Sequence, residues 1–247
     1  MMFPPFRGFV RVFVISCTAV FVLLLFSQSP SAPQGIYRAF VEFFGLFPER
    51  VLQGMLFQPI TWVFLHGNFM HLLFNMFAFW MFGSLLESTF GTRRFVWFNL
   101  FCALFTAGCI ILFGLLVDDL TFRIPTIGAS GLVFGILIAV ARLYPNQVVL
   151  FFFIIPMKLK YFAYILMAIE FYALYASNQK GISNIAHLGG ALFGFLFVSW
   201  WNNRFTRGGP MGWIQAWRQQ WIQRRRRKQL RIVYPEDKRH YHREVLV

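Results

Sequence analysis

Six stretches of the chain are almost entirely apolar, and each is close to the length needed to cross a lipid bilayer. A helix needs about 20 mostly apolar residues to span about 30 Å of hydrocarbon. Charged residues cluster between these stretches rather than within them. The pattern therefore predicts six transmembrane helices, with expected ranges Phe9–Phe26, Phe69–Leu86, Phe95–Val117, Gly128–Ala141 (which could extend further), Tyr161–Ala176 and Asn184–Trp201.

The first stretch has a second interpretation, a cleaved signal peptide, because Arg7 precedes it and Arg11 lies near its start. Signal peptides carry a shorter apolar region, followed by small residues at the cleavage site. Here the apolar run is long, and only the weak motif "SPSA" at 29–32 follows it. We therefore expect a retained membrane span.

Composition supports an all-α polytopic membrane fold. Hydrophobic residues make up 58% of the 247 residues, charged residues only 13%, and phenylalanine alone occurs 34 times. A soluble domain of this length could not remove so much apolar surface from water. The expected organisation is a six-span membrane domain over 1–207, with an outer loop at about 27–68 and a core at about 58–201, then a basic tail over 208–247.

The basic residues indicate how the spans are oriented, because Lys and Arg accumulate in cytoplasmic loops. With the N-terminus inside, only four of the 23 basic residues face outside, namely Arg38, Arg50, Arg123 and Lys180. We therefore expect a multi-pass protein of the bacterial inner (plasma) membrane with both termini in the cytoplasm.

The tail carries a separate signal. Trp213, Trp217 and Trp221 recur every four residues, and the basic run Arg224–Lys228 follows. A helix with a tryptophan face and many cations is typical of a segment that lies on an anionic membrane surface. We expect anionic lipid as the partner of the tail. Nucleic acid is the alternative partner, which we do not expect.

Polar residues inside the spans are informative, because each is costly in hydrocarbon unless it has a partner or a function. His71 and Asn75 are four residues apart near the outer end of the second span, so they lie on one helix face. His187 lies near the outer end of the sixth span, beside small residues that let another helix approach closely. These small residues of the sixth span are Gly190 and Gly194. The fourth span also opens with a group of small residues, Gly128, Ala129, Ser130 and Gly131.

These groups are expected at a similar depth, because the second, fourth and sixth spans all run from outside to inside. Ser130 precedes Arg142 by about 18 Å of helix, at 1.5 Å per residue. If Arg142 marks the inner interface, Ser130 lies about 10 Å below the outer one. Ser130 is therefore either a small residue at a helix contact or a nucleophile held at the level of His187 and Asn75.

If Ser130 is a nucleophile, these residues together form an acyl-transfer site. Ser130 would attack a peptide carbonyl, and His187 would act as general base. Asn75, His71 and the backbone N–H of Ser130 would donate to the oxyanion. Phe134, one turn after Ser130, would pack against the imidazole. No carboxylate is evident to orient His187, so the pattern predicts a Ser–His dyad rather than a triad.

These residues make the sequence resemble the rhomboid family of intramembrane serine proteases, in its bacterial form. The resemblance covers about Gln58–Phe197 and rests on three motifs in the expected order. They are His71 and Asn75 for the family's His-x-x-x-Asn, the sequence at 128–131 for Gly-x-Ser-Gly, and Ala186, His187, Gly190 and Gly194 for Ala-His-x-x-Gly-x-x-x-Gly.

The resemblance implies that Ser130 and His187 cleave single-span membrane proteins near small, helix-breaking residues. It implies oxyanion roles for Asn75 and His71, and a compact outer insertion beside the active site. Phe134 stands where some bacterial members have a tyrosine, which removes a phenol but keeps a stacking surface.

The remaining polar residues receive less specific predictions. Glu87 either bonds backbone groups of a loop, as the resemblance implies, or is an interfacial charge. Glu170, inside the fifth span, is a candidate functional residue because it is ionisable, but we interpret it as a protonated or hydrogen-bonded structural carboxyl, since the proposed chemistry does not require it. His66 is expected to form a hydrogen bond with a loop.

We expect no metal or other cofactor, because no zinc-protease motif is present. The three cysteines, Cys17, Cys102 and Cys109, are expected to be small buried residues.

The sequence therefore predicts an active intramembrane serine endopeptidase. The alternative is a catalytically inactive rhomboid-like protein that binds membrane helices, although such a protein would not need both Ser130 and His187. A transporter is a third interpretation, without an inverted repeat or a charged pathway to support it.

Overall fold

The structure is a computed structural model that describes residues 4–26, 35–117, 122–151, 154–176 and 182–205. Most of the described residues are helical. The long helices are α1 (Gly8–Phe26), α5 (Phe69–Phe90), α6 (Thr92–Leu116), α7 (Ser130–Leu143), α8 (Leu159–Ala176) and α9 (Ile182–Phe205). Three short helices, α2 (Ile36–Phe44), α3 (Pro48–Leu52) and α4 (Gln58–Thr61), followed by a 3₁₀ turn at Trp62–Phe64, lie between α1 and α5.

Each of the six apolar stretches forms a helix. Five of these helices are long and apolar enough to cross a membrane, whereas α7 is apolar but has only 14 residues. It begins at Ser130 rather than Gly128, and it ends at Leu143. The helices confirm the predicted all-α polytopic fold, and the protein is a multi-pass integral membrane protein.

Aromatic side chains form much of the contact between α1, α5 and α6. The Phe13 and Phe79 rings are stacked with centroids 4.3 Å apart, and Phe95 lies 5.9 Å from Phe79. All three side chains are buried. Interlocking rings of this kind supply close packing where lipid removes the hydrophobic driving force between helices.

The segment between α1 and α5 is compact where it is described. Gln58 is fully buried, and its side chain accepts from the Phe47 N–H (3.0 Å) and donates to the Phe43 carbonyl (3.1 Å). Leu46 and Thr126 exchange backbone hydrogen bonds of 3.0 and 2.9 Å. This segment is therefore joined to the chain that leads into α7, in agreement with the compact insertion implied by the family resemblance.

Glu87 joins the start of α1 to the junction of α5 and α6. Its carboxylate accepts hydrogen bonds from the N–H groups of Phe9 (2.8 Å) and Val10 (3.0 Å) and from the Thr92 hydroxyl (2.7 Å). Gly8 has φ of +62°, and a Cβ there would overlap the carboxylate. Of the two roles left open for Glu87, the structure shows bonding to backbone groups.

A β-hairpin between α7 and α8 was not predicted. Strands β1 (Val148–Phe151) and β2 (Ile155–Lys158) pair antiparallel, and the Leu159 N–H donates to the Gln147 carbonyl at 2.8 Å. The hairpin occupies the region into which the fourth span was allowed to extend.

All contacts described below lie within the first of two compact units, which ends at Val198. The three cysteines are free, with two buried and Cys109 half-buried. The predictions for the basic tail, including its tryptophans and the run at 224–228, lie outside the described residues.

Candidate active site

Ser130 is the first residue of α7, and the chain before it is held in place by backbone bonds. The Gly128 N–H donates to the Trp62 carbonyl at 3.0 Å, and Thr126 pairs with Leu46. Gly128 has φ of +120°, a conformation that side-chain-bearing residues rarely adopt. The sharp turn at Gly128 therefore sets the point at which the helix starts. The first N–H groups of a helix lack intrahelical acceptors, so this end of α7 offers donors to an anion.

His71 lies directly beside this turn. A Cβ on Gly128 would sit 2.6 Å from His71 Nε2, so only glycine permits the observed approach. The helix that carries His71 is capped by Asn68, whose side chain accepts from the His71 N–H at 2.8 Å. The structure thus brings His71 next to the Gly-Ala-Ser-Gly segment.

Asn75 is buried, with 6% of its surface exposed, one turn below His71. Its Nδ2 donates to the His71 carbonyl at 2.8 Å. An amide nitrogen carries two hydrogens, so this bond leaves one N–H to donate elsewhere. α5, which carries Asn75, packs against α7. The side chain is therefore held on the helix that faces the Ser130 helix.

His187 lies on α9 and faces α7. Its imidazole stacks on the Phe134 ring, with centroids 4.4 Å apart and planes inclined by 13°. Phe134 is one turn after Ser130, so the stack holds the imidazole beside the first turn of α7. The His187 side chain is 18% exposed.

Glycines allow α7 and α9 to meet backbone to backbone. A Cβ on Gly190 would overlap the Gly131 carbonyl oxygen, and a Cβ on Gly194 would overlap the carbonyl oxygen of Gly135. A Cβ on Gly131 would lie 3.2 Å from the Ala186 carbonyl oxygen. The residues next to Ser130 and next to His187 are thus in contact across this interface.

One expectation about the site is wrong: a carboxylate does lie beside His187. Oε2 of Glu170, on α8, is 2.9 Å from His187 Nδ1, and it accepts a hydrogen bond from Asn184 Nδ2 at 2.7 Å. Sequence spacing could not reveal this contact, because Glu170 and His187 lie on different helices. Two features of the sequence could have indicated this contact. Glu170 is an ionisable residue inside a span, and Asn184 lies three residues before His187.

His66 lies next to His71, but its own side chain is buried. Its side chain is 1% exposed, its Nδ1 lies 3.4 Å from the Phe64 carbonyl, and its ring meets that of His71 edge to face at 5.1 Å. Burial, reinforced by His71, lowers the pKa of His66 to about 4. Among the described residues, no three His, Cys, Asp or Glu side chains gather as metal ligands would.

The chain is similar to known proteins in two comparisons. A family model described as the Rhomboid domain matches residues 53–201. The chain is also similar to "Rhomboid protein 1, mitochondrial" of Saccharomyces cerevisiae, with 32% identity over 136 residues, which are 54% of this chain and 38% of that protein. The match therefore spans less than half the length of that relative. Both matches agree with the resemblance to the rhomboid family that the sequence motifs indicate.

Proposed function

Because the chain belongs to the rhomboid family, we propose that it is an intramembrane serine endopeptidase acting on single-span membrane proteins. Ser130 is the nucleophile and His187 the general base. The observation that carries the proposal is the stack between Phe134 and His187 (4.4 Å), one turn from Ser130. It aligns the imidazole with the end of α7 on which Ser130 stands.

The reaction uses groups that this site contains. Ser130 Oγ bonds to the carbonyl carbon of the substrate while His187 takes the hydroxyl proton. The same proton passes to the leaving amine as the C–N bond breaks, which leaves an acyl-enzyme that water hydrolyses. Asn75, His71 and the backbone N–H of Ser130 donate to the oxyanion of each tetrahedral intermediate.

The length of α7 supports a site below the membrane surface. Its 14 residues extend about 21 Å, well short of a hydrocarbon core of about 30 Å. If Arg142 in its last turn is at the inner interface, Ser130 lies within the outer leaflet. The non-helical chain directly before Ser130 covers the rest of the bilayer thickness. Non-helical backbone is tolerated at this depth where it is buried in protein.

The orientation and the partners remain part of this proposal. Both termini are assigned to the cytoplasm from the distribution of basic residues, and the basic tail is assigned to anionic lipid. The substrate class is single-span membrane protein, because a site within one leaflet excludes folded soluble domains.

The test is cleavage of a fluorescent single-span substrate by the purified protein in liposomes. Wild type should cleave, whereas Ser130→Ala and His187→Ala should both lower the rate at least a thousandfold, and the double variant should be no worse than either. Ser88→Ala is the matched control, since Ser88 is an exposed serine whose hydroxyl donates to the Leu85 carbonyl of its own helix (2.7 Å). It should cleave at the wild-type rate.

Two results would contradict the proposal. Cleavage by Ser130→Ala at the wild-type rate would remove the nucleophile assignment. Binding of single-span helices by wild type without cleavage would favour the inactive rhomboid-like alternative.

A further inference from the structure

Glu170 is unusual among the residues of α8. Most of this helix has its apolar side chains exposed on the outside of the protein, and only Leu159 and Ala163 are buried. The Glu170 side chain is 14% exposed and points at α9. A carboxylate inside a span is costly unless it is paired or has a function, so its partners indicate what it does.

The two partners of Glu170 lie one turn apart on α9. Oε2 is 2.9 Å from His187 Nδ1 and accepts from Asn184 Nδ2 at 2.7 Å. The His187 Nδ1 has no aligned hydrogen bond in this structure, so a small rotation of the ring would convert the close contact into one. Asn184 fixes the carboxylate oxygen at the position from which it meets the imidazole.

The Phe134 stack alone does not decide which ring nitrogen acts as base. A half-turn of the imidazole about its bond to Cβ leaves the ring plane, and therefore the stack, unchanged. The half-turn does exchange Nδ1 with a carbon, so it changes which edge faces Glu170. An acceptor at Nδ1 selects one orientation and one tautomer, in which Nε2 carries the lone pair needed to accept a proton.

We propose that Glu170 is a positioning residue for the base: it holds His187 as the Nδ1–H tautomer, with Nε2 directed to Ser130. Glu170 remains ionised throughout and stabilises the imidazolium that forms when the Ser130 proton arrives. No proton passes to the carboxylate, so the reaction steps are those already given. This inference rests on the proposed protease function.

The first test does not depend on activity. Protein with ¹⁵N-labelled histidine is studied by NMR in detergent at alkaline pH, with the His187 signals assigned by their loss in His187→Gln. We expect the neutral Nδ1–H tautomer in wild type and a mixed or Nε2–H population in Glu170→Leu. The Nε2–H tautomer in wild type, or the same tautomer in both proteins, would overturn the inference even if the protein is an active protease.

The second test measures turnover per folded molecule. Glu170→Gln, which keeps the size of the side chain, should lower kcat at least tenfold with KM unchanged, and Glu170→Asp should recover part of the loss. Tyr172→Phe is the control on the same helix, since that side chain is 72% exposed. A lower melting temperature with unchanged kcat would leave Glu170 as a structural residue and refute the positioning role. Absence of cleavage by wild type would instead count against the protease itself, while the tautomer result would still stand.

Discussion

The Phe134 ring lies nearly parallel to the His187 imidazole, at 4.4 Å and 13°. An aromatic pair contributes about 0.5–1.5 kcal/mol beyond the area it buries. Phe134→Leu should therefore lower turnover about two- to twelvefold, because the imidazole loses the surface that holds its plane. Phe134→Tyr keeps the ring and should retain turnover close to wild type. Equal losses for Leu and Tyr would show that the stack does not position the base.

Asn75 should stabilise the transition state by donating a hydrogen bond to the oxyanion. Removal of one oxyanion donor costs about 2.7–4 kcal/mol, so Asn75→Ala should lower kcat a hundredfold or more with little change in KM. Asn99→Ala is a matched control, since Asn99 is also buried and also donates to the carbonyl four residues earlier, here Phe95 at 2.7 Å.

The control separates catalysis from packing, because both variants remove a buried amide with the same local bond. A similar loss of turnover in the two variants would assign the effect of Asn75 to structure. Raised KM with unchanged kcat would make Asn75 a substrate contact.

The contact between α7 and α9 should tolerate no side chain at Gly190. A Cβ there overlaps the Gly131 carbonyl oxygen, so Gly190→Ala must separate the helices that carry Ser130 and His187. We expect turnover per folded molecule to fall at least tenfold, because proton transfer needs the two groups within about 3 Å. Gly108→Ala is the control, since among the described residues a Cβ at that position would meet no atom within 4 Å apart from its chain neighbours and the nearby backbone of its own helix. A folded and fully active Gly190→Ala protein would contradict the close-packing explanation.

His66 should make stability depend on pH. Its pKa is lowered by burial and by His71 to about 4, from an ordinary value of 6.5. Below about pH 6.5 the unfolded chain binds a proton that the folded protein excludes until about pH 4, so stability is lost as the pH falls through this range. The loss is at most about 3.4 kcal/mol, at 1.36 kcal/mol per pKa unit.

The measurement is the melting temperature in detergent between pH 7 and pH 4, for wild type and His66→Phe. The variant should show a shallower decrease over this range. Parallel curves for the two proteins would show that His66 is not the group responsible.

The helices were predictable because hydrocarbon imposes a strong constraint on the backbone. Every N–H and C=O within the bilayer must be bonded internally, so a long apolar run forms a helix almost regardless of its detailed order. Spacing within one helix was equally informative: His71 and Asn75 had to share a face. The pairing of Phe134 with His187 followed from the four-residue distance between Phe134 and Ser130, once the two helices were assumed to meet.

Other features depend on how helices are rotated against one another. α8 is apolar on nearly all sides, so its sequence does not indicate that Glu170 turns toward α9. The start of α7 at Ser130 follows from the turn at Gly128, which has φ of +120° and donates its N–H to the distant Trp62 carbonyl. The β1–β2 hairpin lacks a clear alternation of polar and apolar residues. In each case a contact between distant parts of the chain decides the local structure.

The bonds from Glu87 to Phe9 and Val10 also set an order of events during synthesis. These partners are 78 and 77 residues apart in the chain, and ribosomes add about 5–20 residues per second. The start of α1 is therefore synthesised about 4–16 s before the carboxylate that will accept from its N–H groups. During this interval those groups depend on water at the membrane surface. The hydrogen bonds that join α1 to Glu87 can therefore form only after the second span has been translated.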